Sequence, residues 1–308
     1  MPWWTRPVVR VGAAIALPLL IPALITVILW VLPGSPAEII CPPAICGDRT
    51  AELAAHFHMD EGPVGFYTHW LMNAFQLDFG TSWRVAAGMP VNEMLIASFP
   101  ATTKLVLLAL FIVMSTSVLA TLGVIPRFLD PVWQALGLLP AVILALLGAA
   151  YVTITYGAVS YEDWPGTLRL LIGGLVLGIA DGTLGQAIQG TRSVFEEEIK
   201  QRYVGIAVLR GESTLSNTLP NVMPALAGQL RGRILAMLSG SVVVEVVLGL
   251  DGLGQLVWAG TLKQDFGLVL AAAWSYALIS SALLVLQASV EIGTAWYVRR
   301  CPAIPEAS

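Results

Sequence analysis

The side chains of this 308-residue chain best placed to do chemistry are polar groups set inside apolar sequence: Asp181, Gln229, Arg231, Arg233 and Glu245. A charge at the centre of a membrane helix costs at least ~2.5–3.5 kcal/mol, so it must pair, meet water or serve a purpose. Asp181 lies 11 residues before Arg192, roughly 16 Å along a helix. Arg231 and Arg233 lie seven and nine residues after Pro224, roughly 10–13 Å along theirs. Two helices entering from one side would bring these groups to similar depth. The expectation is that Asp181 pairs with Arg231 or Arg233 and that these groups, with Gln229, line a polar path. The competing reading is that the arginines snorkel to the nearer interface. Glu245 stands in the run Val242–Val247. It either caps such a path or holds the helix that follows.

Other polar clusters carry weaker chemistry. His56-x-His58 with Asp60 and Glu61 has the donor types of a first-row metal site. No third ligand stands at helical i+4 spacing, so the reading adopted is a solvated helix end and no metal is assigned. Cys41 and Cys46 flank Pro42-Pro43; a small disulfide loop and two free thiols both remain open, the former requiring an oxidising compartment. All three histidines (His56, His58, His69) fall in one hydrophilic stretch and Asp181 is the single mid-span aspartate. An intramembrane Ser-His or paired-Asp hydrolase is therefore disfavoured. No G-x-x-x-x-G-K-[ST] occurs, so the chain has no phosphate-cradling loop of its own.

The elements that hold these residues follow from composition. Apolar residues make up 56% of the chain and charged residues only 12%, about half the share of a soluble domain. With a mean hydropathy of +0.78, this excludes a disordered chain and a cytosolic enzyme of ordinary composition. A net charge of −4 argues against a nucleic-acid-binding surface. Windows of about 20 apolar residues predict six spans: about Val11–Leu32, Ala101–Ile125, Ala135–Gly157, Thr167–Gly190, Pro224–Leu250 and Leu268–Tyr297. With the N-terminus inside, inner segments hold Arg6, Arg10, Arg127, Arg192, Lys200, Arg202, Arg210, Arg299 and Arg300, and outer ones only Arg49, Arg84 and Lys263. That bias places both termini in the cytoplasm. Trp30, Trp133 and Trp296 stand near span ends, as interfacial anchors do. The first span is too long for a signal peptide's apolar core.

Residues 1–32 thus form an N-terminal segment with the first span, 33–100 a long outer loop, 101–297 a five-span core and 298–308 a cytoplasmic tail. Within the outer loop, Phe66-Tyr67, Trp70-Leu71, Ala74-Phe75 and Leu77 repeat at helical spacing, which predicts a helix lying on the membrane or on the bundle. Residues 191–223 make the one sizeable cytoplasmic loop. Its run Glu196–Arg202 reads as a solvated helix face or as the polar flank of a docking helix. Ala207 and Gly211, at i and i+4, would share a helical face, and Gly211 can end a helix in a left-handed cap. Gly173, Gly174, Gly178, Gly182 and Gly185 give the fourth span small-residue spacings for close packing.

Several of these residues occur in a recognisable order. Asp78-Phe79-Gly80-x-Ser82, Pro90-Val91 and Phe99-Pro100-Ala101-Thr102-x-x-Leu105 are followed by Tyr203-Val204-x-x-Ala207-x-x-x-Gly211, Asn221-x-x-Pro224, Val242–Val247 with Gly252-Leu253-Gly254, and Asp265-Phe266. The order resembles the permease subunits of bacterial ABC importers for dipeptides, oligopeptides and nickel. The segment between Gly211 and Pro224 is shorter than in that family, with Ser, Thr and Asn where basic residues are usual.

The resemblance implies an all-α membrane protein of type I ABC importer permease fold in the bacterial inner membrane. It implies alternating access without an enzyme activity or cofactor of its own, ATP being bound by partner subunits. The partners implied are a second permease subunit in a heterodimer, two cytoplasmic ATP-binding subunits and a periplasmic substrate-binding protein. Tyr203, Ala207, Gly211 and Glu212 would form the segment that couples to the ATPases. The alternative is a divergent structural or regulatory membrane subunit that no longer transports.

Overall fold

The computed structural model describes residues 5–32, 34–41, 47, 49–156 and 165–300. These residues form helices joined by short turns; β structure among them is one isolated bridge, Thr81 to Pro90. The helices are α1 (Thr5–Val31), α2 (Pro36–Ile40), α3 (Arg49–His56), α4 (Gly62–Phe75), α5 (Val91–Thr121), α6 (Asp130–Leu136), α7 (Ala141–Tyr156), α8 (Gly166–Ile179), α9 (Thr183–Ile199), α10 (Arg202–Leu209), α11 (Thr214–Leu248), α12 (Leu253–Leu262) and α13 (Phe266–Arg300).

Four stretches are long and apolar enough to cross a bilayer: Pro7–Val31, Val91–Thr121, Gly166–Ile199 and Phe266–Tyr297. Two bent pairs, α6 with α7 (88°) and α11 with α12 (74°), each reach that length together. The core joins α5, α7, α8, α9 and α11 through Leu105, Ala109, Val113, Val152, Leu177, Ile188, Met237, Val244 and Leu248. Outside it, apolar side chains stand exposed: Val9 and Leu20 on α1, Ile96 and Phe111 on α5, Ile154 on α7. Helices that are apolar all round and also expose such residues require a lipid environment.

The element boundaries depart from the sequence expectations in four places. The second span starts at Val91, because Pro100 sits inside α5 rather than before it. The third is a bent pair, with α7 starting at Ala141, and its expected end at Gly157 lies outside the described residues. The fifth runs unbroken from Thr214 with Pro220 and Pro224 inside it. The expected loop 191–223 shrinks to 200–213, because α9 continues to Ile199.

The fourth span is not a continuous helix. A 3-10 turn, Ala180–Gly182, separates α8 from α9, with Asp181 at φ +53° and Gly182 at φ +75°. On the N-terminal side of this break, Gly173 and Gly174 let α8 lie directly on Leu105 and Leu108 of α5. On its C-terminal side α6 runs along α9. The backbone of Trp133 lies against Gly185, Gly137 lies against Gly182, and the Asp181 amide donates to Leu139 O at 3.3 Å. Trp133 is thus part of the bundle's packing rather than an interfacial anchor.

Candidate functional site

A cavity of about 430 Å³ opens beside this break, lined by Leu177, Asp181, Thr183, Gln186, Gly190, Gln229, Gly232, Arg233, Ala236 and Gly240. Its polar wall comes from α9 and α11. Gln229 donates to Gly190 O at 3.0 Å and accepts from Arg233 Nη2 at 2.9 Å, and Arg233 also donates to Ala187 O at 3.0 Å. Spacing of i and i+4 on α11 puts Gln229 and Arg233 on one face.

Asp181, Gln229 and Arg233 therefore share a cavity, but the expected ion pair is not formed. Among the described residues no ion pair joins Asp181 to Arg231 or Arg233. The physical reason is that the guanidinium of Arg233 is already engaged by Ala187 and Gln229, while the break turns Asp181 toward open space. Arg231 does not line the cavity, and its Nε is buried without a hydrogen-bond partner.

Glu245 is likewise absent from the cavity and is fully buried. It accepts from Thr102 Oγ1 at 2.7 Å and from the amides of Gly254 and Gln255 at 2.7 and 3.1 Å. Those amides open α12, so the carboxylate meets the positive end of that helix. Thr102 Oγ1 in turn accepts from the Leu253 amide at 2.8 Å. Glu245 thus ties α5, α11 and α12 together, and a Cβ at Gly252 would collide with its carboxylate.

A second buried carboxylate is visible in the sequence only as part of a motif. Asp265 Oδ2 accepts from Ser82 Oγ at 2.5 Å and from the amides of Trp83, Arg84 and Val85 at 2.9–3.1 Å, while Oδ1 accepts from the Leu268 amide at the start of α13. Burial alone would raise its pKa. Hydrogen bonds from the Arg84 amide, the Ser82 hydroxyl and the Val85 and Trp83 amides outweigh burial and hold the carboxyl below the usual aspartate range. The Arg84 guanidinium adds bonds to the carbonyls of Ile39 and Ile40 and to Gln264. Cys41, one residue on, is disulfide-bonded; Cys46 lies outside the described residues.

At the opposite end, Arg192 is buried rather than interfacial. It grips both oxygens of Asp130 (2.9 and 2.6 Å) and donates to Ala120 O and Ile125 O at 3.0 and 3.1 Å. No motif marks this residue; at the end of an apolar run it has the look of one more interfacial cation.

Beyond it lies α10. Tyr203 donates to Glu198 and accepts from Asn221 Nδ2 at 2.7 Å, so the segments before and after α10 meet at one phenol. Burial and the bond to Glu198 push that phenol's pKa up. Ala207 and Gly211 do not share an outward face. Ala207 is buried, and Gly211 at φ +77° lies past the helix end. The Gly211 and Glu212 amides donate to Val208 O and Ala207 O at 2.9 and 3.0 Å, a complete Schellman cap. Glu212 also accepts from Asn217 Nδ2 at 3.1 Å. The outward face carries Ile206, Val208 and Leu209, with Leu215 beside it, all exposed.

Residues 81–300 match the family described as the binding-protein-dependent transport system inner membrane component. A Brucella suis biovar 1 protein named for a peptide transport system permease is 28% identical over 286 residues, covering 84% of this chain and 88% of that one. The dipeptide transport system permease protein of Bacillus subtilis strain 168 is 26% identical over 291 residues, covering 90% and 92%. The oligopeptide transport system permease protein of Salmonella typhimurium is 28% identical over 256 residues, covering 78% and 81%.

Proposed function

The chain belongs to the family of binding-protein-dependent transport system inner membrane components, and on that premise we propose that its cavity at Asp181, Gln229 and Arg233 is the stretch of path through which a peptide crosses. The chain is a multi-pass inner-membrane permease subunit of an ABC importer. Subunits of this kind work with ATP-binding and substrate-binding partners.

The observation that carries the path assignment is the cavity itself. It has a polar wall, lies beside a broken helix near the middle of a span, and presents an anionic and a cationic side chain that are not paired with each other. A discontinuous helix lining a cavity is the tolerated form of irregular backbone at membrane depth. A peptide carries an ammonium and a carboxylate, for which Asp181 and Arg233 are complementary partners. The dipeptide and oligopeptide names of the relatives support that substrate class. The cavity is built on one chain's face, which supports a second permease, a related chain, as its other wall.

Six crossings with both termini inside accommodate the architecture, each bent pair counting once. The Asp265 and Glu245 clusters then lie outside, and Arg192 and α10 inside. The apolar face of Ile206, Val208 and Leu209 on α10 is suited to a groove on a cytoplasmic ATPase, which would hydrolyse the ATP. The test is uptake of labelled peptide into vesicles containing the assembled importer. Arg233→Ala should abolish uptake while leaving ATPase subunits bound; unchanged uptake would remove the path from this cavity.

A further inference from the structure

On the outer side, His58, Glu61 and His69 converge, their ligand atoms lying within 4.8 Å of one another. Glu61 Oε1 lies 3.1 Å from His58 Nδ1, and Glu61 Oε2 lies 3.1 Å from His69 Nε2. Two ligands bound about 2.0–2.1 Å from one ion stand roughly 2.9–3.4 Å apart at octahedral or tetrahedral angles, so both carboxylate–imidazole spacings already suit a shared ion. The third spacing closes by turning one imidazole, because the two rings stack face to face with centroids 3.9 Å apart and planes 8° apart. All three side chains are between 39% and 46% exposed, which leaves them free to turn and open to solution.

Two further features direct the carboxylate to this place. Glu61 holds the N-cap position of α4 but makes no side-chain bond to the helix amides, the usual role of a carboxylate there. It faces the two imidazoles instead, and the hydrogen bond from His58 lowers its pKa. Gly65, one turn on, leaves the space that the Glu61 side chain fills; a Cβ there would collide with it. The cluster borders a cavity of about 270 Å³ whose walls include both histidines, Asn73 and Asp78, so coordination positions beyond the three ligands face open space.

We propose that His58, Glu61 and His69 form a binding site for a divalent first-row transition ion of the zinc class on the outer face of the permease. Two imidazoles and one carboxylate suit such ions and do not suit calcium or magnesium, which take all-oxygen shells. The ion would clamp the turn at His58, held at φ +56°, to the first two turns of α4.

The test is calorimetric titration of Zn²⁺ into the full-length chain in detergent micelles, purified with a tag that lacks histidine. Expected is one ion per chain with micromolar or tighter affinity, weakened at least tenfold in Glu61→Gln and in His69→Gln. Asp60→Asn, whose side chain is outside the cluster, should bind as the parent does. Melting temperatures without zinc verify that each variant is folded, and zinc should raise the melting temperature of the parent and of Asp60→Asn alone. Absence of stoichiometric binding, or an affinity in Glu61→Gln or His69→Gln equal to the parent's, overturns the site.

Discussion

Ser82 donates its hydroxyl hydrogen to Asp265 at 2.5 Å across 183 positions of sequence. The carboxylate collects that bond and three successive backbone amides on one oxygen. A loop before the second span is thereby fastened to the first turn of the last. Asp265→Asn cannot satisfy these donors and turns an amide group toward them. It should cost about 2–4 kcal/mol, the penalty of buried donors left unpaired. Ser82→Ala should cost about 1 kcal/mol, both read from thermal unfolding in detergent.

The same carboxylate gives a pH dependence. Its folded-state pKa lies below that of an exposed aspartate. It therefore contributes stability above the unfolded value of about 4, and that stability is lost as pH falls through the folded value. The melting temperature should drop more steeply below about pH 4 in the parent chain than in Asp265→Asn. Parallel curves would show that other groups govern acid unfolding.

Arg192 and Asp130 form a buried ion pair, with the arginine only 8% exposed. Removing one partner of a buried pair strands the other at about 3–5 kcal/mol. Asp130→Ala and Arg192→Met should each be that destabilising. The double variant should lose less than the sum, because no charge is left unpaired. Additive losses in a double-mutant cycle would show that the two side chains act independently.

Gly211 has open space where a Cβ would stand but a left-handed backbone, so its role is conformational. Gly211→Val should cost about 1–2 kcal/mol locally and reduce uptake driven by ATP, as α10 loses its cap. Gly211→Asn, which tolerates that conformation, should retain most transport. If Val and Asn behave alike in reconstituted vesicles, the cap is not what positions α10.

At the break, Asp181→Asn removes charge while keeping a side chain that accepts φ near +53°. It should leave the stability within about 0.5 kcal/mol of the parent and lower peptide uptake about tenfold, the loss of one charged contact to the substrate. Unchanged uptake would mean that the acid takes no part in the path.

Much of the fold is legible in the residues alone. Runs of apolar residues fix where helices cross, because lipid rewards length and apolarity directly. The motif residues Ser82 and Asp265 are each visible in the sequence, but their contact is not, since it depends on where two distant loops meet. Asp181 and Arg233 do share one cavity, yet rotation about the helix axes sends Arg233 to Ala187 and Gln229 rather than to the acid. Arg192 reads as interfacial because a buried cation and an exposed one look alike where an apolar run gives way to mixed charges. His69 does not read as a ligand because it joins Glu61 across two turns of α4, beyond i+4 spacing.

Directional bonds fasten this bundle at its two rims, around Asp265 and Glu245 at one and Arg192 at the other, and Gln229 and Arg233 bond α11 to α9 between them, while the exposed Asp181 side chain in the cavity is held by none of these bonds. Exchanging Asp181 therefore leaves the fold's fastenings untouched. With the proposed path at that cavity, position 181 is where such a permease can drift toward new cargo without first acquiring compensating changes elsewhere: its evolvability rests on one side chain that the fold does not use.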